Sequence, residues 1–137
     1  MTALLNPYLS FAGDAKQAME FYRSVLGGEL SSTTYGEFGE ADAPAADKIM
    51  HASLRTGRGF TLMGADAPPG SEHRAGNNFA ISISGEAADA AELRGYWEEL
   101  RAGGEVQVPL EKQVWGDEFG MLTDRFGIAW MIDIAGE

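Results

Sequence analysis

The chain states one motif twice. Residues 6–18 read NPYLSFAGDAKQA, and 72 positions later residues 78–90 read NFAISISGEAADA. At that offset Asn6/Asn78, Ser10/Ser82, Gly13/Gly85, Ala15/Ala87 and Ala18/Ala90 are identical. Leu9/Ile81, Phe11/Ile83 and Asp14/Glu86 are close substitutions. An echo that preserves both an alternating apolar pattern and an acid after a glycine predicts two copies of one supersecondary unit. This excludes most folds open to 137 residues.

Each copy opens as a strand and continues as a helix. Pro7, Leu9 and Phe11 alternate with Asn6, Tyr8 and Ser10, and Phe79, Ile81 and Ile83 alternate with Asn78, Ala80 and Ser82. Asp14, with Gln17 three residues on, stands where a capping residue belongs. Ala15, Ala18, Met19, Tyr22 and Leu26 then recur at helical spacing until Gly27-Gly28. The second helix carries Ala87, Ala90, Leu93, Trp97 and Leu100 toward Gly103-Gly104. Strand-like runs follow each helix: LSSTTYG, IMHASLR and FTLMGA in the first half, VQVPL, FGMLT and GIAWMIDI in the second. Gly57-Arg58-Gly59 and Asp124-Arg125-Phe126-Gly127 supply hairpin turns. The reading is a single α+β domain over 1–137, built of two βαβββ modules at about 1–66 and 77–137, with DAPPGSEHRAG as linker and GEFGEADAPAAD at 36–47 as an exposed loop.

Ten basic against 21 acidic residues give a net charge of -11, which disfavours nucleic acid and anionic membrane surfaces as partners. The absence of Cys removes disulfides, thiolate nucleophiles and sulfur-ligated metals, and agrees with a reducing, cytoplasmic setting. No apolar run approaches the ~18 residues of a membrane span, and MTALLNPYL lacks the basic start of a secretion signal, so a soluble, unprocessed chain is expected. No Gly-rich loop joins a strand to a helix in the way a nucleotide or methyl-donor cofactor would need.

With these modules in view, LNPYLSFAGDAKQAMEFYRSVLGGEL, KIMHASL, the VPLEKQVWG stretch and FGMLTDRFGIAWMIDI resemble the PhnB-like branch of the vicinal oxygen chelate superfamily, which holds glyoxalases, extradiol dioxygenases and fosfomycin- and bleomycin-resistance proteins. The resemblance covers the whole chain. It implies a curved mixed sheet with helices on its outer face, a concave inner face that binds a small molecule, and a homodimer. Metal-using relatives grip a divalent ion with His and Glu in the first strand and a later strand of each module. Here those positions carry Asn6, Asn78, Leu62 or Met63, and Met131. Amides and thioethers are poor ligands for such an ion, so no cofactor is expected at the usual positions.

Strand parity then nominates the inner face. If Leu9, Phe11, Phe79, Ile81, Ile83, Trp130 and Ile132 pack under the helices, their neighbours Asn6, Tyr8, Ser10, Asn78, Ser82, Met131 and Asp133 face the ligand. Parity adds His51, Ser53 and Arg55, opposite Met50, Ala52 and Leu54, and Met63 with Thr61. His51 is the candidate acid or base. His73, in the linker, is expected to be solvated. Trp115 and Phe119, in the loop-rich WGDEFG, are candidates to cover a flat or cationic ligand, with Glu111, Asp117, Glu118 and Asp133 as an acidic rim. The expected ligand-binding set is therefore Asn6, Tyr8, His51, Met63, Asn78, Trp115, Phe119, Met131 and Asp133. Two functions follow: a metal-free protein that sequesters an aromatic or cationic compound, or a divalent-metal enzyme of glyoxalase or dioxygenase type with a rearranged site using His51 and Asp133.

Overall fold

The computed structural model describes residues 3–39 and 44–136. Positions 40–43, within the acidic loop read from the sequence, lie outside the described residues. The chain divides into two compact units, Met1–Ala75 and Gly76–Glu137. The first runs β1 (Tyr8–Phe11), α1 (Ala15–Leu26), β2 (Glu29–Thr34), β3 (Ile49–Arg55) and β4 (Thr61–Asp66). The second runs β5 (Ile81–Gly85), α2 (Ala90–Leu100), β6 (Glu105–Lys112), β7 (Glu118–Thr123) and β8 (Ala129–Ile134). Each unit is thus one βαβββ module with its own four-stranded mixed sheet, ordered β1-β4-β3-β2 and β5-β8-β7-β6. In each, the first strand pairs in parallel with the last, and the other pairs are antiparallel.

One face of each sheet is buried by its helix. Ala15, Ala18, Met19, Tyr22 and Val25 of α1 are buried, as are Leu9, Phe11, Ala52, Leu54 and Leu62 on the strands. In the second unit Leu93, Tyr96, Trp97 and Leu100 of α2 are buried along with Ile83, Leu122, Trp130, Ile132 and Ile134. Burying each such large side chain contributes roughly 1.5–3 kcal/mol. Gly120 admits the Trp97 ring: a Cβ there would come within 2.6 Å of the indole.

Several departures from the sequence reading have identifiable causes. Alternation in the sequence overruns the strands, because pairing begins only at Tyr8↔Met63 and in β5 at Ile81↔Trp130. Phe79, expected beneath a helix, precedes the paired stretch and is 57% exposed. In β3 the register slips so that Thr33 pairs His51 and Thr34 pairs Ile49, leaving Met50 as a bulged residue. Ile49 rather than Met50 therefore takes the helix-side position ahead of Ala52 and Leu54. In β6 the register also shifts between Val108 and Glu111, a span holding Pro109, which an edge strand tolerates.

The expected Asp14 cap is also replaced. Asp14 makes no side-chain capping bond. Instead Asp66, at the end of β4 and only 3% exposed, accepts hydrogen bonds at Oδ1 from the backbone N–H of Gly13 (2.9 Å) and Ala15 (3.0 Å) and at Oδ2 from Ile49 (2.9 Å). A carboxylate this deep must be saturated with donors, and the bare N–H groups at the start of α1 provide two. His73 is not merely solvated: its Nε2–H donates to the Ser10 carbonyl at 3.0 Å, tying the linker to β1.

Candidate functional site

With α1 covering one face of the first sheet, the other face presents the strand residues that alternate with that buried set. Cross-strand register sets Tyr8 beside Met63, Met63 beside Ser53, and Ser53 beside Ser31. Thr61, Arg55 and Glu29 form the neighbouring row, and His51 pairs with Thr33. Of the two sequence alternatives for one superfamily metal position, Leu62 faces the helix, 4% exposed, and Met63 lies on the open face.

Tyr8 on β1 reaches across β4 to His51 on β3. The Tyr8 hydroxyl and His51 Nδ1 are hydrogen bonded at 3.1 Å, with the donor set by the imidazole tautomer. Their rings lie 5.7 Å apart and tilted by 30°. This contact orients the imidazole and leaves Nε2 as its other polar atom. Beside it a concavity of about 650 Å³ is lined by Arg23, Glu29, Leu30, Ser31, His51, Ser53, Arg55 and Met63. Ser53 is 9% exposed, and its Oγ is buried without a hydrogen-bond partner. A buried hydroxyl in that state lacks the compensation that buried polar groups ordinarily have. Asn6 lies outside the strand, half-buried, just before β1. The sequence signal for Ser53 and Arg55 was the parity of β3. Nothing local marked Arg23, Glu29 or Ser31, which the corner between α1 and β2 brings to the same concavity.

In the second unit, Met131 and Asp133 of β8 lie on the face opposite α2, beside Met121 and Phe119 of β7. Trp115, 61% exposed in the β6–β7 turn, packs on Phe119 with ring centroids 6.0 Å apart. Asn78 is exposed in the segment leading to β5. Glu118 departs from the acidic rim expected of it: Arg94 of α2 holds it in a bidentate pair at 2.6 and 2.9 Å. The hydrogen bond from that guanidinium is the larger cause of a Glu118 carboxyl lowered below its ordinary range.

Asp133 behaves oppositely. Its Oδ1 is buried without a partner. Burial first, and then the adjacent Asp117 carboxylate, raise the Asp133 carboxyl above its ordinary value. The folded chain therefore holds this proton to higher pH than the unfolded chain does. The resulting stabilisation is complete below the unfolded value of about 3.9 and is lost as pH rises through the folded one. Asp133→Asn, whose amide can donate to Asp117, should raise the thermal midpoint by a few degrees at pH 7, with the gain shrinking toward pH 4. Scanning calorimetry at both pH values checks this, and a gain independent of pH would refute it.

The residues at the superfamily's metal positions do not fit a divalent ion. Asn6 and Met63 in the first unit, and Asn78 and Met131 in the second, offer amide and thioether donors where such ions favour carboxylate and imidazole. Among the described residues no group of three or more His, Asp or Glu is arranged to hold a metal.

The comparisons agree with this architecture. YjdN of Escherichia coli is 30% identical over 142 residues, covering 95% of this chain and 94% of its own. The crystal structure of protein PA1353 from Pseudomonas aeruginosa matches at 35% identity and a TM-score of 0.85, over 99% of this chain and 100% of that one. A PhnB protein from Bacillus cereus shares the fold at a TM-score of 0.78 and 22% identity, over 97% of this chain and 100% of its own. The family model for the Glyoxalase/Bleomycin resistance protein/Dioxygenase superfamily matches residues 4–132, and with its duplicated βαβββ module the chain belongs to that superfamily.

Proposed function

We propose that this member of the superfamily binds a small organic molecule on the open face of its first sheet, without a metal at the superfamily's usual positions. The observation that carries this reading is the concavity itself. It gathers an oriented histidine, a buried hydroxyl lacking a partner and a thioether on one sheet face that no helix of its unit covers. Ligand sites of this kind combine an apolar wall with a few convergent polar groups, and Met63 supplies apolar surface here. The donor chemistry at Asn6 and Met63 supports binding through hydrogen bonds and packing in place of coordination.

A thermal-shift screen of small aromatic and charged compounds tests it. Compounds that stabilise the protein should lose that effect in His51→Ala, whose own midpoint should lie within about 3 °C of wild type because only one partly exposed hydrogen bond is removed. Hits unaffected by His51→Ala would place binding elsewhere. A stoichiometric divalent ion on protein purified without chelator would replace this reading with a metal-dependent enzyme.

A further inference from the structure

We infer that the ligand of the first-unit concavity carries an oxyanion, a carboxylate or a phosphoryl-type group, received by Arg55 and Arg23. This deepens the binding reading above and rests on it. The chain as a whole has a net charge of -11, yet the concavity reverses that sign locally: two guanidiniums line it against the single carboxylate of Glu29. Arg55 projects from the end of β3 on the same face as His51 and Ser53. Arg23 stands in the last turn of α1, where its Nε donates to the Gly28 carbonyl at 3.2 Å and holds the guanidinium at the corner leading into β2. Among the described residues no ion pair engages either guanidinium.

The remaining lining suits the rest of such a molecule. The Ser53 hydroxyl, buried and unpartnered, can donate to a ligand oxygen, and Ser31 adds a second hydroxyl beside it. Met63 offers apolar contact for a short organic body. Arginine receives oxyanions through paired N–H donors, a geometry that a cation or a neutral aromatic cannot use. Glu29 sits across from Arg55 in register and repels an incoming anion, so affinity for a simple acid is modest and the two guanidiniums must act together.

Backbone amide shifts in nitrogen-15 NMR, followed while benzoate, phenylphosphonate and benzylamine are added separately, test the charge of the ligand. Benzoate and phenylphosphonate should shift the amides of Ser31, Ser53 and Arg55 saturably, and benzylamine should not. Arg55→Gln and Arg23→Gln should each weaken both anions about tenfold while leaving the spectrum otherwise folded. Saturable benzylamine binding in preference to the anions, or anion affinities unchanged in both variants, overturns the inference but leaves the face a binding site. Failure of all three probes to perturb these amides sinks the binding reading and the inference with it.

Discussion

Asp66→Ala should unfold the protein about 3–5 kcal/mol more easily than wild type, a large share of the 5–15 kcal/mol that stabilises a typical domain. One buried carboxylate joins three places in the chain: the turn before α1 through Gly13, the first residue of α1 through Ala15, and the start of β3 through Ile49. Removing it leaves those N–H groups without their charged acceptor, two of them in buried contacts. Asp66→Asn is nearly isosteric yet should still cost about 1–3 kcal/mol. Both carboxylate oxygens accept, so whichever way the amide is turned, its NH2 group meets an N–H donor. Asp14→Ala is the control and should change stability by less than about 0.5 kcal/mol, since its side chain caps nothing. Urea denaturation of the three variants decides the matter. If Asp66→Ala and Asp14→Ala unfold at similar urea concentrations, Asp66 is not the tie described.

Gly28→Ala and Gly104→Ala should each cost about 2–3 kcal/mol, for a reason that links the two copies of the motif. The dipeptide Gly-Gly follows both helices, at residues 27–28 directly after α1 and at 103–104 after the turn that closes α2. Its second glycine lies directly against the backbone at the end of the module's third strand. A Cβ on Gly28 would sit 2.3 Å from the Arg55 carbonyl oxygen, and one on Gly104 would sit 2.3 Å from that of Thr123. Backbone oxygens cannot rotate away as a side chain would, so the sheet itself must shift. Gly28 also has φ of +98°, which adds strain absent at Gly104. Gly95→Ala, in α2 with open space around it, should instead stabilise by about 0.5–1 kcal/mol through helix propensity. Thermal unfolding of the three variants tests the contrast; equal effects at Gly95 and Gly104 would mean that the close approach carries no weight.

The local and periodic features of this chain were open to inspection in its sequence. The 72-residue echo foretold two βαβββ modules. The spacing of Ala15, Ala18, Met19 and Tyr22 foretold the buried stripe of α1, and parity foretold that Tyr8, His51, Ser53 and Met63 share a face. These follow from repeats of 3.6 and 2 residues, which any isolated segment displays. Strand ends were less legible, because Phe79 continues an alternation that has no partner strand beside it. The bulge at Met50 escaped for a related reason: it is a mismatch between two strands, and neither carries it alone.

What tertiary structure alone decided is where distant residues meet. Asp66 caps a helix whose first residue precedes it by 51 positions. Tyr8 touches His51 across an intervening strand, and Arg23 joins Arg55 at one concavity because the chain turns sharply at Gly27-Gly28. Overall composition is silent about the charges lining that concavity, since a net charge of -11 is a sum over the whole chain. Binding depends on the few charges that folding brings within a Debye length of a ligand, and a sequence places those charges only along a line.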